Sequence, residues 1–233
     1  MGKYKLTQNG LDSKLARLIK GRKALLKRVD KLHVRLMEGN SKTGVHCWTV
    51  SLLPVIDCCN CEECKHDCYD LKSDMLNNDC EHIRYINSAI HLKDKRRFWD
   101  EVDAEVKANF ALELRINVGG DLSDDDFEYV AELGAKNPST KIMFFTKNYK
   151  GINAFLDKSE FPENVHPIMS AWENVKMENP HQLPCSHVLY PDGRTTAPTY
   201  GAYYCQGNCT ECDFYSKGCW TLKKNEHVIF HAH

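Results

Sequence analysis

The sequence lacks the signatures of several common protein classes. No apolar run approaches the roughly 20 residues that a helix needs to cross a bilayer, and the start, MGKYKLTQNG, has no apolar core of a signal peptide. It contains no Walker loop, no dinucleotide-binding glycine fingerprint and no defensible Ser-His-Asp order. We therefore expect a cytoplasmic protein that does not bind a membrane. None of these motifs identifies a catalytic residue.

Net charge is also small, at −1, but it is unevenly distributed. Residues 1–35 carry eleven Lys or Arg against two Asp, a balance of +9, which leaves −10 for the remainder. Aromatic residues other than Tyr4 are missing from this segment, so stacking on nucleic acid bases is not indicated. The segment suits either a solvated helix face or an arm that contacts nucleic acid phosphates.

Cysteine, in contrast, is abundant, with twelve residues. In a reducing compartment this density indicates metal binding or catalysis and disfavours disulfides. Nine cysteines fall into two groups, the first at 58, 59, 61, 64 and 68 and the second at 205, 209, 212 and 219. Because crowded thiolates repel one another and lose solvation, each group needs a compensating cation. The sequence therefore predicts one or two metal centres.

The spacing of the cysteines favours iron–sulfur chemistry, with zinc as the alternative. Cys61/Cys64 and Cys209/Cys212 could each be half of a zinc site, but they lie much farther apart than the 15–20 residues of a zinc ribbon. Cys205-x3-Cys209-x2-Cys212 has the spacing by which radical S-adenosylmethionine enzymes hold a four-iron (4Fe-4S) cluster. A fourth ligand would close that cluster, as in an auxiliary centre. One shared site and two separate sites both stay open.

Hydrophobic periodicity predicts an α/β fold with a parallel sheet, because strand, turn, helix and strand follow in that order. The predicted helices lie within Leu11–Glu38, from Asn78 to Leu92, over Phe98–Asn109 and from Ser123 to Leu133. The predicted strands are Cys47–Val55, Ala111–Val118, Lys141–Thr146, Val165–Ser170 and His227–His231. Residues 180–204, which contain several Pro, Gly, Thr and Tyr, are predicted to be a long surface connection.

Three regions follow from this pattern. They are a basic amphipathic helical arm over 1–38, an α/β core with the first cysteine group over 39–180, and a cysteine-rich metal-binding segment over 181–233. Within the core, Gly119-Gly120-Asp121 and Thr146-Lys147-Asn148 each follow a predicted strand. In parallel sheets, ligands bind at the carboxyl ends of strands, so these turns are candidate positions for a pocket.

The order of these motifs resembles the phage "gene product eighty-eight" family, small proteins of phages and bacteria with no assigned activity. The likeness covers residues 36–233. The motifs that carry it are Gly39-Asn40-x-Lys42-Thr43-Gly44, Leu53-Pro54, Cys64-x3-Cys68-Tyr69, Arg115-Ile116, Gly120-Asp121, Phe145-Thr146-Lys147, Cys209-x2-Cys212, Cys219-Trp220 and Val228-x-Phe230.

This resemblance implies which residues bind metal. In the first group the ligands it implies are Cys59, Cys61, Cys64 and Cys68, with Cys58 as an extra cysteine. In the second group the clustering and spacing of the cysteines indicate Cys205, Cys209, Cys212 and Cys219 as ligands. The family is similar in outline to radical S-adenosylmethionine barrels, which implies a partial TIM-barrel-like core. In those enzymes a Gly-Gly-acid turn meets the amino group of the methionine. The implied cofactor-binding residues are therefore Tyr69, Gly119, Gly120 and Asp121, although such a turn is also a common structural element.

Two functional hypotheses result. In the first, the chain holds iron–sulfur clusters and acts with S-adenosylmethionine on a small-molecule or nucleic acid substrate in the cytoplasm of a phage host. In the second, it is a non-catalytic structural-zinc protein that binds nucleic acid or a host protein. The sequence indicates neither the oligomeric state nor the substrate.

Overall fold

The computed structural model describes residues 6–39, 43–44, 46–73, 78–214 and 218–232. Asn40 and Lys42, which carry part of the resemblance, lie outside these residues. The α-helices are α1 (Gln8–Leu26), α2 (Tyr69–Ser73), α3 (Asn78–Lys93), α4 (Lys95–Ala108), α5 (Asp126–Lys136), α6 (Tyr149–Leu156) and α7 (Cys209–Phe214). Over these described ranges, no helix is both long enough and apolar enough to traverse a lipid bilayer.

Seven strands form one all-parallel sheet. They are β1 (Cys47–Val50), β2 (Glu113–Ile116), β3 (Lys141–Thr146), β4 (Val165–Ser170), β5 (Cys185–Leu189), β6 (Ala202–Tyr204) and β7 (His227–His231). Their spatial order is β1-β2-β3-β4-β5-β7-β6, and every pair is parallel. No pairing between the edge strands β1 and β6 is formed by the described residues, so the sheet is an open, partial barrel. This confirms the predicted fold class.

Different parts of the chain pack against the two faces of the sheet. On one face, Leu114, Ile116 and Phe144 join a large core with α3, α4, α5 and α6. The opposite face, here called the inner face, is lined by alternate strand residues that include Cys47, Arg115, Met143, Phe145 and Ile168. Trp220 and Cys219 of the C-terminal segment pack against this face. The second cysteine group therefore lies on the inner face.

Most predicted elements are present. The strands Lys141–Thr146, Val165–Ser170 and His227–His231 have the predicted bounds, and α3 begins at Asn78 as predicted. β1 is shorter than predicted, because the chain turns at residues 54–57. Helix α6 was missed because it is short and contains Gly151, although Asn148 caps it by accepting a hydrogen bond from Gly151 N.

The prediction that residues 180–204 form only a surface connection is wrong, because they contain β5 and β6. The sequence of β5 is CSHVL, and Ser186 and His187 in its centre are buried. Polar residues in a strand give no clear alternation of apolar and polar positions. Here β5 is stabilised by pairing with both β4 and β7, which is a non-local interaction.

The N-terminal helix is packed on the core. Leu11 and Leu18 are buried against Leu53 and Leu71, which lie on either side of the first cysteine group. A Cβ atom at Gly21 would lie 2.6 Å from the Tyr85 ring, so the glycine allows α1 to approach α3 closely. The helix runs through Gly21 without a break. The predicted arm is thus a wall of the first cysteine loop.

Candidate metal centre

The first cysteine group lies in the loop between β1 and α2, and Asp57 fixes the start of this loop. Its Oδ2 atom accepts hydrogen bonds from Leu53 N at 3.0 Å and Ser88 Oγ at 2.5 Å. Its Oδ1 atom accepts one from Arg22 Nη1 at 2.5 Å, and its backbone oxygen accepts one from Asp121 N at 2.9 Å. Helices α1 and α3 and the turn after β2 therefore all position this loop.

Four thiols of the loop lie within one another's electrostatic field. Burial raises the pKa of Cys58 well above its ordinary value, and the nearby charges of Asp121, Cys68 and Cys61 raise it further. Burial also raises the pKa of Cys61, with Cys64 as its strongest charged neighbour. The pKa of Cys68 rises to about 11, mainly through burial, and Cys64 again contributes. We call Cys58, Cys61, Cys64 and Cys68 the first thiol group.

Backbone contacts hold three of these four side chains. Cys58 Sγ accepts a hydrogen bond from Val55 N at 3.3 Å, and Cys61 Sγ donates to Val55 O at 3.6 Å. Cys68 Sγ accepts from Leu71 N at 3.4 Å, at the start of α2. The thiols are therefore positioned by the turn that contains them, before any ligand binds.

Cys59 is directed away from this group. Its thiol donates to Leu122 O at 3.3 Å, and the residue is exposed. Burial of the thiol and the nearby carboxylates of Asp121, Asp124 and Asp126 raise its pKa to about 12. Its predicted role as a ligand stays a prediction, while Cys58 and Cys61 both contact the backbone of Val55 through their sulfur atoms.

The Gly119-Gly120-Asp121 turn makes contacts with the rest of the chain. A Cβ atom at Gly119 would lie 2.1 Å from Asp70 Oδ2, and Gly120 has a φ of +84°. Asp121 Oδ1 accepts from Thr146 Oγ1 at 2.7 Å, and Oδ2 accepts from Lys147 N at 2.8 Å. These contacts tie the end of β2 to the end of β3. They give the turn a structural role, and its cofactor role stays a prediction.

Tyr69, the fourth predicted cofactor-binding residue, lies beside this turn. Its hydroxyl donates to Val118 O at 3.1 Å, and the side chain is 44% exposed. It therefore joins the start of α2 to the end of β2, and burial of the hydroxyl raises its pKa.

The second group comes together on the inner face. Cys205 follows β6, Cys209 and Cys212 lie in α7, and Cys219 begins a 3-10 helix over Cys219–Thr221. Cys212 Sγ lies 3.0 Å from the hydroxyl of Tyr203. Burial raises the pKa of Cys219 to about 12, with further contributions from Cys205, Cys209 and Cys212. We call these four residues the second thiol group.

The two thiol groups have different surroundings. The second group lies near Cys47, Glu113 and Arg115, in the amino-terminal half of the sheet. The first group faces Asp121 and Lys147, which follow the carboxyl ends of β2 and β3. This arrangement favours two separate sites over one shared site.

The donor chemistry of both groups fits a thiolate-bound metal. All twelve cysteines are free thiols. Over the described part of the chain, no three His, Cys, Asp or Glu side chains already converge into a formed metal-ion site. The thiols of each group would therefore have to turn toward a common centre when a metal binds.

Comparison with known proteins decides the family. A family model described as Gene product 88 matches residues 23–225. The chain belongs to the Gene product 88 family. The matched region includes both thiol groups, and it confirms the resemblance seen in the sequence.

Membership in the Gene product 88 family supplies no cofactor or reaction. No curated protein and no solved structure matches the chain. The outline similarity to radical S-adenosylmethionine barrels therefore stays a prediction, and the geometry of the two thiol groups is the main guide to function.

Sequence reasoning treated Cys58 as an extra cysteine and did not single out Asp57. The signal for Cys58 was available, because Cys58-x2-Cys61-x2-Cys64-x3-Cys68 has the spacing of the cysteine run that binds iron–sulfur clusters in bacterial ferredoxins. Cys59 obscured this spacing, because the run of four cysteines can be counted from either Cys58 or Cys59. Asp57 carried no such signal, because its partners Arg22 and Ser88 are distant in sequence.

Proposed function

We propose that the protein is an iron–sulfur protein whose first thiol group binds a four-iron cluster. One observation carries this proposal. Cys58, Cys61, Cys64 and Cys68 lie in one loop whose backbone holds three of their side chains, and their spacing is that of the cysteine run of bacterial ferredoxins. In two-cluster ferredoxins the fourth cysteine of such a run serves the other cluster, so Cys68 is the ligand to be tested individually.

Burial of the thiols supports a metal ligand role. Burial raises the pKa of Cys58, Cys61 and Cys68, so these three side chains are neutral thiols at neutral pH when no cation is present. A metal replaces those protons, and its charge compensates the thiolates in a partly buried site. An iron–sulfur cluster, when bound, would supply one-electron transfer at the carboxyl edge of a parallel sheet, where chemistry in such folds is concentrated.

The second thiol group suits an auxiliary cluster in this proposal. Cys205, Cys209 and Cys212 supply the three-cysteine spacing, and Cys219 completes a set of four on the inner face. The reduced cytoplasm of a phage host is the compartment in which so many free thiols persist. The finer form of the proposal is a radical S-adenosylmethionine enzyme that acts on a small molecule or a nucleic acid. This form requires that only three cysteines of the first thiol group bind the cluster, which leaves one iron open.

Anaerobic purification of the full chain tests the proposal. We expect iron and acid-labile sulfide in near-equal amounts, with the brown absorption near 400 nm that is typical of the class. The double variant Cys61→Ala/Cys64→Ala is expected to lose the iron and sulfide of one cluster. Cys80→Ala, which lies outside both groups, is expected to keep the full iron and sulfide content. Stoichiometric zinc in colourless protein would overturn the iron–sulfur proposal.

A separate assay tests the enzymatic form. After reduction, the protein is incubated with S-adenosylmethionine, and methionine and 5′-deoxyadenosine are quantified. Each cleavage consumes one electron, and the adenosyl carbon gains one hydrogen atom from a donor. An iron-loaded protein that yields no 5′-deoxyadenosine would refute the radical enzyme and leave iron–sulfur binding intact.

The structural-zinc protein that binds nucleic acid is the second candidate. Lys20 and Lys23 of α1 and Lys27, which caps its C-terminus in a helical conformation, are exposed at spacings of three and four residues, so they share one face. Such a basic face can neutralise phosphates and release counterions. Changing all three to Gln is expected to weaken DNA binding and to flatten its salt dependence by a slope of about 1 for each lost phosphate contact. Identical binding by this triple variant and the native chain would remove the candidate.

A further inference from the structure

Each thiol group lies beside a basic side chain that is not part of the group. For the second group this residue is Arg115, whose side chain projects from β2 to the inner face. Arg115 pairs with Thr49 of β1 and Met143 of β3 in the sheet, so the sheet fixes its backbone on both sides. Its guanidinium carbon lies 5.3 Å from the centre of the Phe145 ring.

The guanidinium of Arg115 has an unused donor. Its Nε atom is buried and has no hydrogen-bond acceptor among the described residues. A buried donor without an acceptor costs about 1–3 kcal/mol, and more when it is charged. Phe145, over which the guanidinium lies, packs with Cys219 on one apolar cluster of the inner face, so this cation is close to the second group. The Arg115 guanidinium could therefore offset negative charge on the second group.

Lys147 occupies the equivalent place beside the first group. It follows β3, where its backbone N–H donates to Asp121 Oδ2 at 2.8 Å and its carbonyl accepts from Asn60 Nδ2 at 2.6 Å. Asn60 lies inside the cysteine loop, so Lys147 is attached to that loop directly. Its ammonium lies 5.1 Å from the centre of the Trp172 ring. Its backbone is thus fixed on both sides, at the end of β3 and next to the first cysteine loop.

We propose that Arg115 and Lys147 are charge partners of the metal-bound thiolates, Arg115 for the second thiol group and Lys147 for the first. This inference rests on the proposed function. Four thiolates around a divalent ion, or around a four-iron cluster, leave a net negative charge. A fixed cation beside each group offsets that charge in a site that is partly shielded from water, where electrostatic interactions are stronger. Neither residue is proposed as a metal ligand.

Binding of Co2+ under anoxia tests this proposal without an activity assay. Co2+ affinity is measured by chelator competition, and thiolate-to-cobalt absorption reports occupancy. Cys205→Ala/Cys209→Ala leaves the first group to be measured in the full chain, and Cys61→Ala/Cys64→Ala leaves the second. Arg115→Met and Lys147→Met are then placed in both backgrounds, after circular dichroism has confirmed that each protein is folded.

We expect each substitution to weaken Co2+ binding at one thiol group only. Arg115→Met weakens Co2+ binding at the second group by about 10-fold or more, the range seen for residues that support metal ligands, and leaves the first group within about 2-fold. Lys147→Met does the reverse. Arg96→Met, which removes a half-exposed guanidinium on α4, is the matched control and is expected to change neither. Arg115→Lys, which keeps the charge, is expected to restore most of the affinity and also serves if Arg115→Met does not fold.

Two results would overturn the inference. One is an equal loss at both groups from either substitution or from Arg96→Met, since that would be an effect of total charge. The other is unchanged affinity in both Arg115→Met and Lys147→Met. If the native chain binds no Co2+ at either group, the proposed function itself fails, and the two failures are thus distinguishable.

Discussion

At the scale of single residues, Asp57 is the main organiser of the first cysteine loop. Its carboxylate joins Arg22 of α1, Ser88 of α3 and the backbone of Leu53, with both carboxylate oxygens in use. The side chains of Arg22 and Asp57 are only 17% and 12% exposed, so their ion pair is shielded from solvent. Loss of the charge would leave the guanidinium with a weaker partner in that environment.

We expect Asp57→Asn to lower the free energy of unfolding by about 2–3 kcal/mol, because a shielded ion pair is replaced by a neutral hydrogen bond. Urea denaturation followed by circular dichroism measures the change. Asp100→Asn is the control, since Asp100 is half exposed in its pair with Arg96 and is expected to contribute under about 1 kcal/mol. Equal losses in the two variants would contradict the role given to Asp57.

The buried carboxylate of Asp126 is expected to make the stability of the fold depend on pH. Burial alone would raise its pKa, but hydrogen bonds from His91, Ser123 and Trp99 lower it from 3.8 to about 2. Because the folded pKa lies below the ordinary one, Asp126 stabilises the fold above about pH 4, and this contribution is lost as the pH falls toward 2. The shift corresponds to roughly 2 kcal/mol.

The difference in unfolding free energy between the native chain and Asp126→Asn checks this. We expect the difference to be largest above about pH 5 and to shrink at about pH 3. A difference that stays constant over this range would show that the charge of Asp126 carries no stability.

At the scale of elements, α1 packs against the first cysteine loop although its composition is basic. Its apolar side packs on Leu53 and Leu71, and Leu6 N donates to His66 O at 3.1 Å inside the cysteine loop. The exposed side carries the lysines. The helix thus buries its apolar side chains against the loop and presents its charged face to solvent. This is the usual arrangement of an amphipathic surface helix.

Leu18→Ala and Ile19→Ala test this assignment with neighbouring residues. Leu18 is 0% exposed and Ile19 is 49% exposed. Leu18→Ala is expected to cost about 2–4 kcal/mol of stability, since it opens a cavity between α1 and the loop, whereas Ile19→Ala is expected to cost under about 1 kcal/mol. Thermal unfolding of both variants measures the difference. If the two Tm values fall equally, α1 is not packed in this way.

At the scale of the whole molecule, one open sheet separates two chemical sites. The first thiol group lies beyond the carboxyl ends of the strands, and the second lies on the inner face toward their amino ends. The parallel order of strands makes this separation possible, since all carboxyl ends share one edge. A protein with two such groups can hold two centres without sharing ligands.

Metal content of two single variants tests the separation. Cys64→Ala and Cys209→Ala are each expected to lose about one centre, because Cys64 belongs to the first thiol group and Cys209 to the second. The double variant is then expected to lose both, and plasma emission spectrometry of anaerobic protein gives the count. If the single variants and the double variant lose the same amount, the two groups form one shared site.

The sequence by itself determined the class of the protein and much of its frame. Alternation and periodicity located β3, β4, β7 and α3, and strand-helix order indicated a parallel sheet. Cysteine spacing located both thiol groups and predicted a metal. These features are local, because a few neighbouring residues are enough to determine a strand, a helix or a cysteine motif.

Only the tertiary structure decided which residues meet. It placed Cys58 with Cys61, Cys64 and Cys68, and it directed Cys59 to Leu122 O. It also revealed β5 and β6, packed α1 on the metal loop, and set Arg115 and Lys147 beside separate thiol groups. These outcomes depend on pairing and burial between residues distant in sequence, which periodicity and spacing along the chain do not encode.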